Sequence, residues 1–132
     1  MKRALALVEL SRQHHTALSL AIRIARVADS AAEAEMLERV AKVFAAELEP
    51  HFLEEERGLL PALMTAGETA LVNRTLDEHR QIRALVENIV AGDAASLKVF
   101  GELLSAHVRF EERELFVTAQ AVLSPDFLNS PR

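Results

Sequence analysis

The sequence predicts an all-α protein, an antiparallel up-down-up-down four-helix bundle. Three observations carry that expectation. Apolar residues recur at intervals of three and four rather than two. The four Gly and four Pro are few for a sandwich or barrel, and they punctuate long periodic stretches. Of the 132 residues, half are hydrophobic and 27% are charged, which is enough to bury one core, so residues 1–132 read as a single domain.

The first helix is expected from roughly Lys2 to Ala28, broken at Asp29-Ser30, with an apolar stripe of Val8, Leu18, Ile22 and Ala25. The second runs roughly from Ala31 to Arg57 and then loosens through Gly58, Pro61 and Gly67. Its stripe is Leu37, Val40, Phe44 and Leu48, and Pro50 should kink it by removing one i→i−4 bond. The third runs roughly from Glu68 to Ala91 on Val72, Leu76, Ile82, Val86 and Ile89. Gly92-Asp93 closes it, and Asp93 suits the N-cap of the next helix. The fourth runs roughly from Ala94 to Val122 on Leu97, Phe100, Leu104, Leu115 and Val122, and Ser124 to Leu128 can add one turn.

Composition excludes several chemistries. Without Cys there is no disulfide, iron–sulfur cluster, thiolate zinc site or cysteine nucleophile. Without Trp or Tyr there is no tyrosyl radical and no Trp stacking platform. A net charge of -5 argues against nucleic acid and anionic membranes as partners. The apolar run after Met1 stops at Glu9, too short for a signal peptide, and no run approaches the ~18 apolar residues of a membrane span. A soluble, cytoplasmic protein is expected.

Polar residues of particular types break the stripes. On the second helix Val40, Phe44 and Leu48 lead onto His51 and Glu55, then Leu59. On the fourth, Leu97, Phe100 and Leu104 lead onto His107 and Glu111, then Leu115. His79 lies between Leu76 and Ile82, and His15 between Val8 and Leu18. A buried carboxylate costs several kcal/mol unless it is paired or bound to a metal. At i and i+4, the His and Glu of each pair share one helix face. A single such pair is commonplace as a surface ion pair, whereas two on core stripes form a ligand set. Counted from the breaks at ~1.5 Å per residue, His79 and His107 stand at equal height, and His15 and His51 agree within about 9 Å. Four His and two Glu therefore converge on one layer of the core.

Imidazole and carboxylate without thiolate suit Fe, Mn, Zn or Cu. Six side chains exceed the need of one tetrahedral ion. Two six-coordinate ions offer ~12 positions, of which four His, two bridging carboxylates and an oxo or hydroxo bridge leave about two open.

Four stretches resemble the hemerythrin-like family, the HHE cation-binding domains. They are Gln13-His14-His15-Thr16-Ala17-Leu18, His51-Phe52-Leu53-Glu54-Glu55-Glu56, Glu78-His79-Arg80-Gln81-Ile82 and His107-Val108-Arg109-Phe110-Glu111-Glu112. Together they span essentially the whole chain. The His-x-x-x-Glu order differs from the Glu-x-x-His of ferritin-like di-iron proteins. The resemblance implies two iron ions, oxo- or hydroxo-bridged, with His15 and His51 on one, His79 and His107 on the other, and Glu55 and Glu111 bridging. Purified samples can carry other divalent metals. His14 is the alternative to His15. His15 is favoured because its spacing to Leu18 and Ile22 parallels that of His79 to Ile82 and Val86. Arg83 stands where the respiratory members carry a further His, which leaves one iron short of a protein ligand. Arg83 itself reads as a surface or rim charge, or as a partner for a site carboxylate.

Glu54, Glu56 and Glu112 read as solvated, with Glu54 or Glu112 able to hold a His ring N–H instead. The Phe residues read as core or pocket wall. The expected function is binding, sensing or handling of oxygen, NO or iron, with a small gaseous or peroxide ligand and an unidentified protein partner. A peroxide- or NO-reducing enzyme and a metal-free interaction bundle are the alternatives, and the sequence leaves enzyme status open.

Overall fold

The computed structural model describes residues 3–129. Among the described residues the fold is entirely helical and contains no strand. The first long helix, α1, spans Leu5–Ala25. The second is one continuous rod: α2 (Ser30–Val43), a π turn over Phe44–Leu48, α3 (Glu49–Glu54), a π turn over Glu55–Leu59, and α4 (Leu60–Thr65). The third is α5 (Thr69–Val90). The fourth joins α6 (Ala95–Phe110), a π turn over Glu111–Leu115, and α7 (Phe116–Val122). A last turn, α8 (Pro125–Leu128), tucks the buried Leu128 against the bundle, and the Ser124 hydroxyl caps it by accepting from the Phe127 N–H at 3.2 Å.

The breaks follow local chemistry. Asp29 caps α2, its carboxylate accepting from the Ala32 N–H at 2.8 Å. Asp93 does the same work for α6 from one residue further out, accepting from Ala95 N–H and from the Ser96 hydroxyl. Gly67 and Gly92 take φ of 90° and 96°, a left-handed conformation that ends the preceding helices. The four rods form a bundle: α1 packs on α6, α6 on α5, α5 on α2, and α1 on the first π turn. Among the described residues no helix is long and apolar enough to cross a membrane.

Three expectations need correction. The second rod continues through Gly58 and Pro61 to Thr65 instead of loosening after Arg57. Both prolines are accommodated by π turns that end just before them, where the Glu49 and Leu60 N–H groups bond five residues back to the Phe44 and Glu55 carbonyls. The wider turn relieves the clash of the proline ring with the carbonyl four residues earlier. The stripe on α1 is also out by one residue. Val8, Leu18, Ile22 and Ala25 lie on its exposed side, and Leu7, Leu10, Ala17, Ala21 and Ile24 face the core. At the end of the fourth rod Ala119 is buried and Val122 is exposed.

The core is split into two apolar clusters. One gathers Leu20, Ile24, Val40, Phe44, Ile82, Val86, Phe100 and Leu104 with their neighbours. The other gathers Leu7, Leu10, Leu59, Leu63, Val72, Leu115, Phe116 and Leu128 with theirs. Each long helix changes from one cluster to the other at a buried polar residue: α1 at His14, the second rod at His51 and Glu55, α5 at His79, and the fourth rod at His107 and Glu111.

Candidate metal centre

That polar layer is the site. Glu55, Glu111 and His79 have no exposed surface, and His14, His51 and His107 are at most 5% exposed. His15, turned about 100° from His14 along α1, is exposed. The structure therefore brings together His51, Glu55, His79, His107 and Glu111 as the sequence placed them, and corrects the first helix: His14, not His15, enters the layer. His14 continues the buried series Leu7, Leu10, Ala17, Ala21 and Ile24 at steps of three and four, and that continuity fixes the choice.

The two carboxylates divide their oxygens between two groups of rings. Glu111 Oε1 lies 2.7 Å from His14 Nε2 and 3.6 Å from His51 Nε2. Glu111 Oε2 lies 3.3 Å from His107 Nε2 and 3.9 Å from His79 Nε2. Glu55 spans the same gap, with Oε2 3.2 Å from His51 Nε2 and Oε1 3.1 Å from His79 Nε2. Two four-residue groups result, His14-His51-Glu55-Glu111 and His79-His107-Glu55-Glu111, each with ligand atoms within 4.8 Å of one another.

Outside the layer every ring is anchored through Nδ1, which donates to an oxygen on a neighbouring helix. His14 donates to Glu112 at 2.7 Å, His51 to Gln13 Oε1 at 2.7 Å, His79 to Glu56 at 2.6 Å and His107 to Glu78 at 2.6 Å. The anchors close a circuit. The first helix supports the ring on the second, the second that on the third, the third that on the fourth, and the fourth that on the first. Of these anchors the sequence reading considered only Glu112, and took Glu56 for a solvated residue. A signal was present, because each anchor is the immediate neighbour in sequence of an inward ligand: Gln13 of His14, Glu56 of Glu55, Glu78 of His79 and Glu112 of Glu111. Adjacent residues on a helix diverge by about 100°, so one faces the layer while the other reaches around to the next helix.

Arg83 does not enter the layer. It binds Glu49 and Glu56, so it supports the anchor of His79 from outside. The aromatic residues are walls: Phe52 stacks on His79 at 3.9 Å between ring centroids, and Phe116 lies parallel to His14 at 5.4 Å.

The electrostatics show what the layer lacks. Burial opposes charge on His51, yet the carboxylates of Glu111 and Glu55 close to its Nε2 prevail and lift its pKa to about 10. His107 is lifted to about 10 in the same way by Glu111, Glu78 and Glu55 against its burial. Burial pushes Glu111 up, but the surrounding rings hold it well below the ordinary carboxylate range. The two carboxylates thus demand positive charge, and protons supply it when nothing else does. His51 Nε2, His79 Nε2, His107 Nε2, both oxygens of Glu55 and Glu111 Oε2 are buried with no hydrogen-bond partner. Six converging unpartnered atoms of ligand type fit metal ions, since buried polar groups are otherwise nearly always paired.

No curated protein and no solved structure matches the chain. Residues 5–119 match the family model of the hemerythrin HHE cation-binding domain. That span contains the first three long helices, the fourth up to Ala119 and every residue of the layer, and the chain belongs to the hemerythrin HHE cation-binding domain family.

Proposed function

We propose that the chain is a non-haem di-iron protein that binds, senses or handles oxygen, NO or iron at a dinuclear centre in the bundle core. The observation that carries this reading is the sharing of both carboxylates between two groups of buried rings, with six of the facing atoms unpartnered. His14 and His51 would hold one ion, His79 and His107 the other, and Glu55 and Glu111 would bridge them. A centre of imidazole and carboxylate supplies redox chemistry and open positions for a small ligand. The chain itself fixes the ring orientations through the Nδ1 anchors, supplies two negative charges, and encloses the layer between two apolar clusters that restrict water.

The test is aerobic reconstitution with iron followed by elemental analysis and absorption spectroscopy. Two irons per chain with a spectrum that responds to NO or peroxide support the reading. Under one metal per chain removes it. Sustained turnover of peroxide or NO would instead favour the enzyme, a reading for which the site shows no separate general acid.

A further inference from the structure

The two halves of the layer are not anchored alike. Behind His79 stands Glu56, whose carboxylate is paired with Arg83 at 2.8 Å. Behind His107 stands Glu78, paired with Arg74 at 3.1 Å. Behind His14 stands Glu112, paired with Arg3 at 2.6 Å and bonded to Ser11 at 2.6 Å. Behind His51 stands Gln13, a neutral amide. The half built on His79 and His107 therefore has two carboxylate anchors, and the half built on His14 and His51 has one.

An anionic acceptor behind a metal-ligating imidazole strengthens it as a ligand, because negative charge at Nδ1–H raises the basicity of Nε2. A neutral amide orients the ring equally well but contributes only a dipole. The arginines behind the three carboxylates do not cancel this difference. They lie on the solvent side, 28% to 50% exposed, where water screens them. The imidazoles lie in the dry layer beside the carboxylates. Both halves draw on the same two bridging residues, so the anchors are the main chemical difference between them.

We infer that Gln13 is a positioning residue that makes the His14–His51 half the weaker of the two metal sites, so that the His79–His107 half fills first and empties last. The inference rests on the two-metal reading above and adds an order of occupancy to it. A protein so built holds one ion firmly and exchanges the other.

The test uses the full chain, isotopically labelled at histidine nitrogen and titrated with zinc ions alone, because zinc is diamagnetic and accepts the same ligands. Nitrogen resonances report each ring separately. At one equivalent the Nε2 signals of His79 and His107 should shift while those of His14 and His51 do not, and at two equivalents all four should have moved. Gln13→Glu should tighten the second binding step about 10-fold, within the 10–100-fold range that outer hydrogen-bond partners command. That is a gain of affinity, which structural damage does not produce. Gln13→Ala should weaken the second step and leave the first unchanged. Simultaneous filling of both halves, or His14 and His51 shifting first, overturns the inference and leaves the two-metal reading standing. So does an unchanged second step in Gln13→Glu. Absence of any shift at two equivalents overturns both.

Discussion

The first and fourth helices bury their residues by different rules. On α1 the buried series is Leu7, Leu10, His14, Ala17, Ala21 and Ile24, alternating steps of three and four. The fourth rod also steps by three and four through Leu97, Phe100, Leu104 and His107, but from His107 its series is Glu111, Leu115 and Ala119, a strict step of four. An ordinary α-helix follows the first series with little drift. The second drifts by about 40° per step and would swing off the core. The π turn over Glu111–Leu115 absorbs that drift with one extra residue in the turn, and no proline is needed to cause it. The second rod does the same through His51, Glu55, Leu59 and Leu63, with its π turn starting at Glu55. Glu55 and Glu111, the two carboxylates of the layer, thus both stand at the first residue of a π turn. A helix that brings a His and a Glu to one layer at i and i+4, and must keep packing afterwards, is one that widens there.

The largest expected effect tests this phase on the second and fourth rods. Glu111→Ala should reduce the metal content to one ion or none per chain, because each oxygen serves a different half. Glu55→Ala should do the same. Glu54→Ala should retain both ions, since its side chain is turned about 100° from Glu55. Glu112→Ala should weaken the His14 half alone, because it anchors that ring at 2.7 Å. Elemental analysis of the four variants checks the ranking, and equal losses from all four would mean that the bridging assignment is mistaken.

Next in size is the phase of α1. His14→Ala removes a ring held between Glu111 and Glu112 in the buried layer and should destabilise the metal-free protein by about 2–4 kcal/mol. His15→Ala, on the exposed side, should stay within about 0.5 kcal/mol. Denaturant unfolding of both variants with chelator present decides it. The reverse ranking would restore the assignment that the sequence favoured.

The origin of that error is physical. On the second and fourth rods the residues beside the core stripe are mostly charged, as at Glu54, Arg57, Arg109, Arg113 and Glu114, so only one face can turn inward. On α1 a second apolar series, Val8, Leu18, Ile22 and Ala25, runs one residue behind the true one, and two adjacent His offer a ligand to either. Apolar periodicity alone does not separate two such series. The four long helices, the breaks at Asp29-Ser30 and Gly92-Asp93 and five of the six positions of the layer were legible because hydrophobic spacing and ligand chemistry agreed there. Which ring each anchor holds was not, because each bonds a ring on another helix, and one-dimensional spacing contains no such pairing. The π turns left a trace in the strict four-residue step, which a reading based on α-helical periodicity passes over.

A pH experiment joins the two helices through their shared site. In metal-free protein His51 and His107 have pKa values raised from 6.5 to about 10. The folded state then binds more protons than the unfolded chain between those values. The resulting stabilisation is complete below about pH 6.5 and is lost as pH rises towards 10. Glu111, Glu56, Glu78 and Glu112 are lowered from 4.5, so their stabilisation is present above that value and lost on acidification. The midpoint of unfolding with chelator present should therefore be highest between about pH 4.5 and 6.5. Bound metal replaces the protons, so loading should release them and should hold stability up on the alkaline side. A metal-free protein that gains stability between pH 7 and 9 would contradict the site electrostatics.

The smallest effect concerns the contact where the two helices touch. A Cβ built on Gly101 of α6 would meet Ile24 Cγ2 of α1 at 3.2 Å and its Cβ at 3.4 Å, so Ile24 would have to give by a few tenths of an ångström. Gly101 is buried inside a helix, where Ala is the better residue by about 1 kcal/mol. Ile24 is 6% exposed and β-branched, so its χ1 resists the displacement. The two effects oppose, and Gly101→Ala should leave stability within about 0.5 kcal/mol of the parent protein. Ile24→Ala alone should cost about 2–4 kcal/mol through the cavity it opens. With Cγ2 gone, Gly101→Ala placed in the Ile24→Ala background should stabilise by the full ~1 kcal/mol of helix propensity. The double-mutant cycle should therefore show a coupling of about 0.5–1.5 kcal/mol. Ile22→Ser, two residues away but 53% exposed, should show no coupling to Gly101→Ala. Coupling through Ile22 instead of Ile24 would mean that α1 turns its other apolar series inward, which would carry His15 into the layer with it.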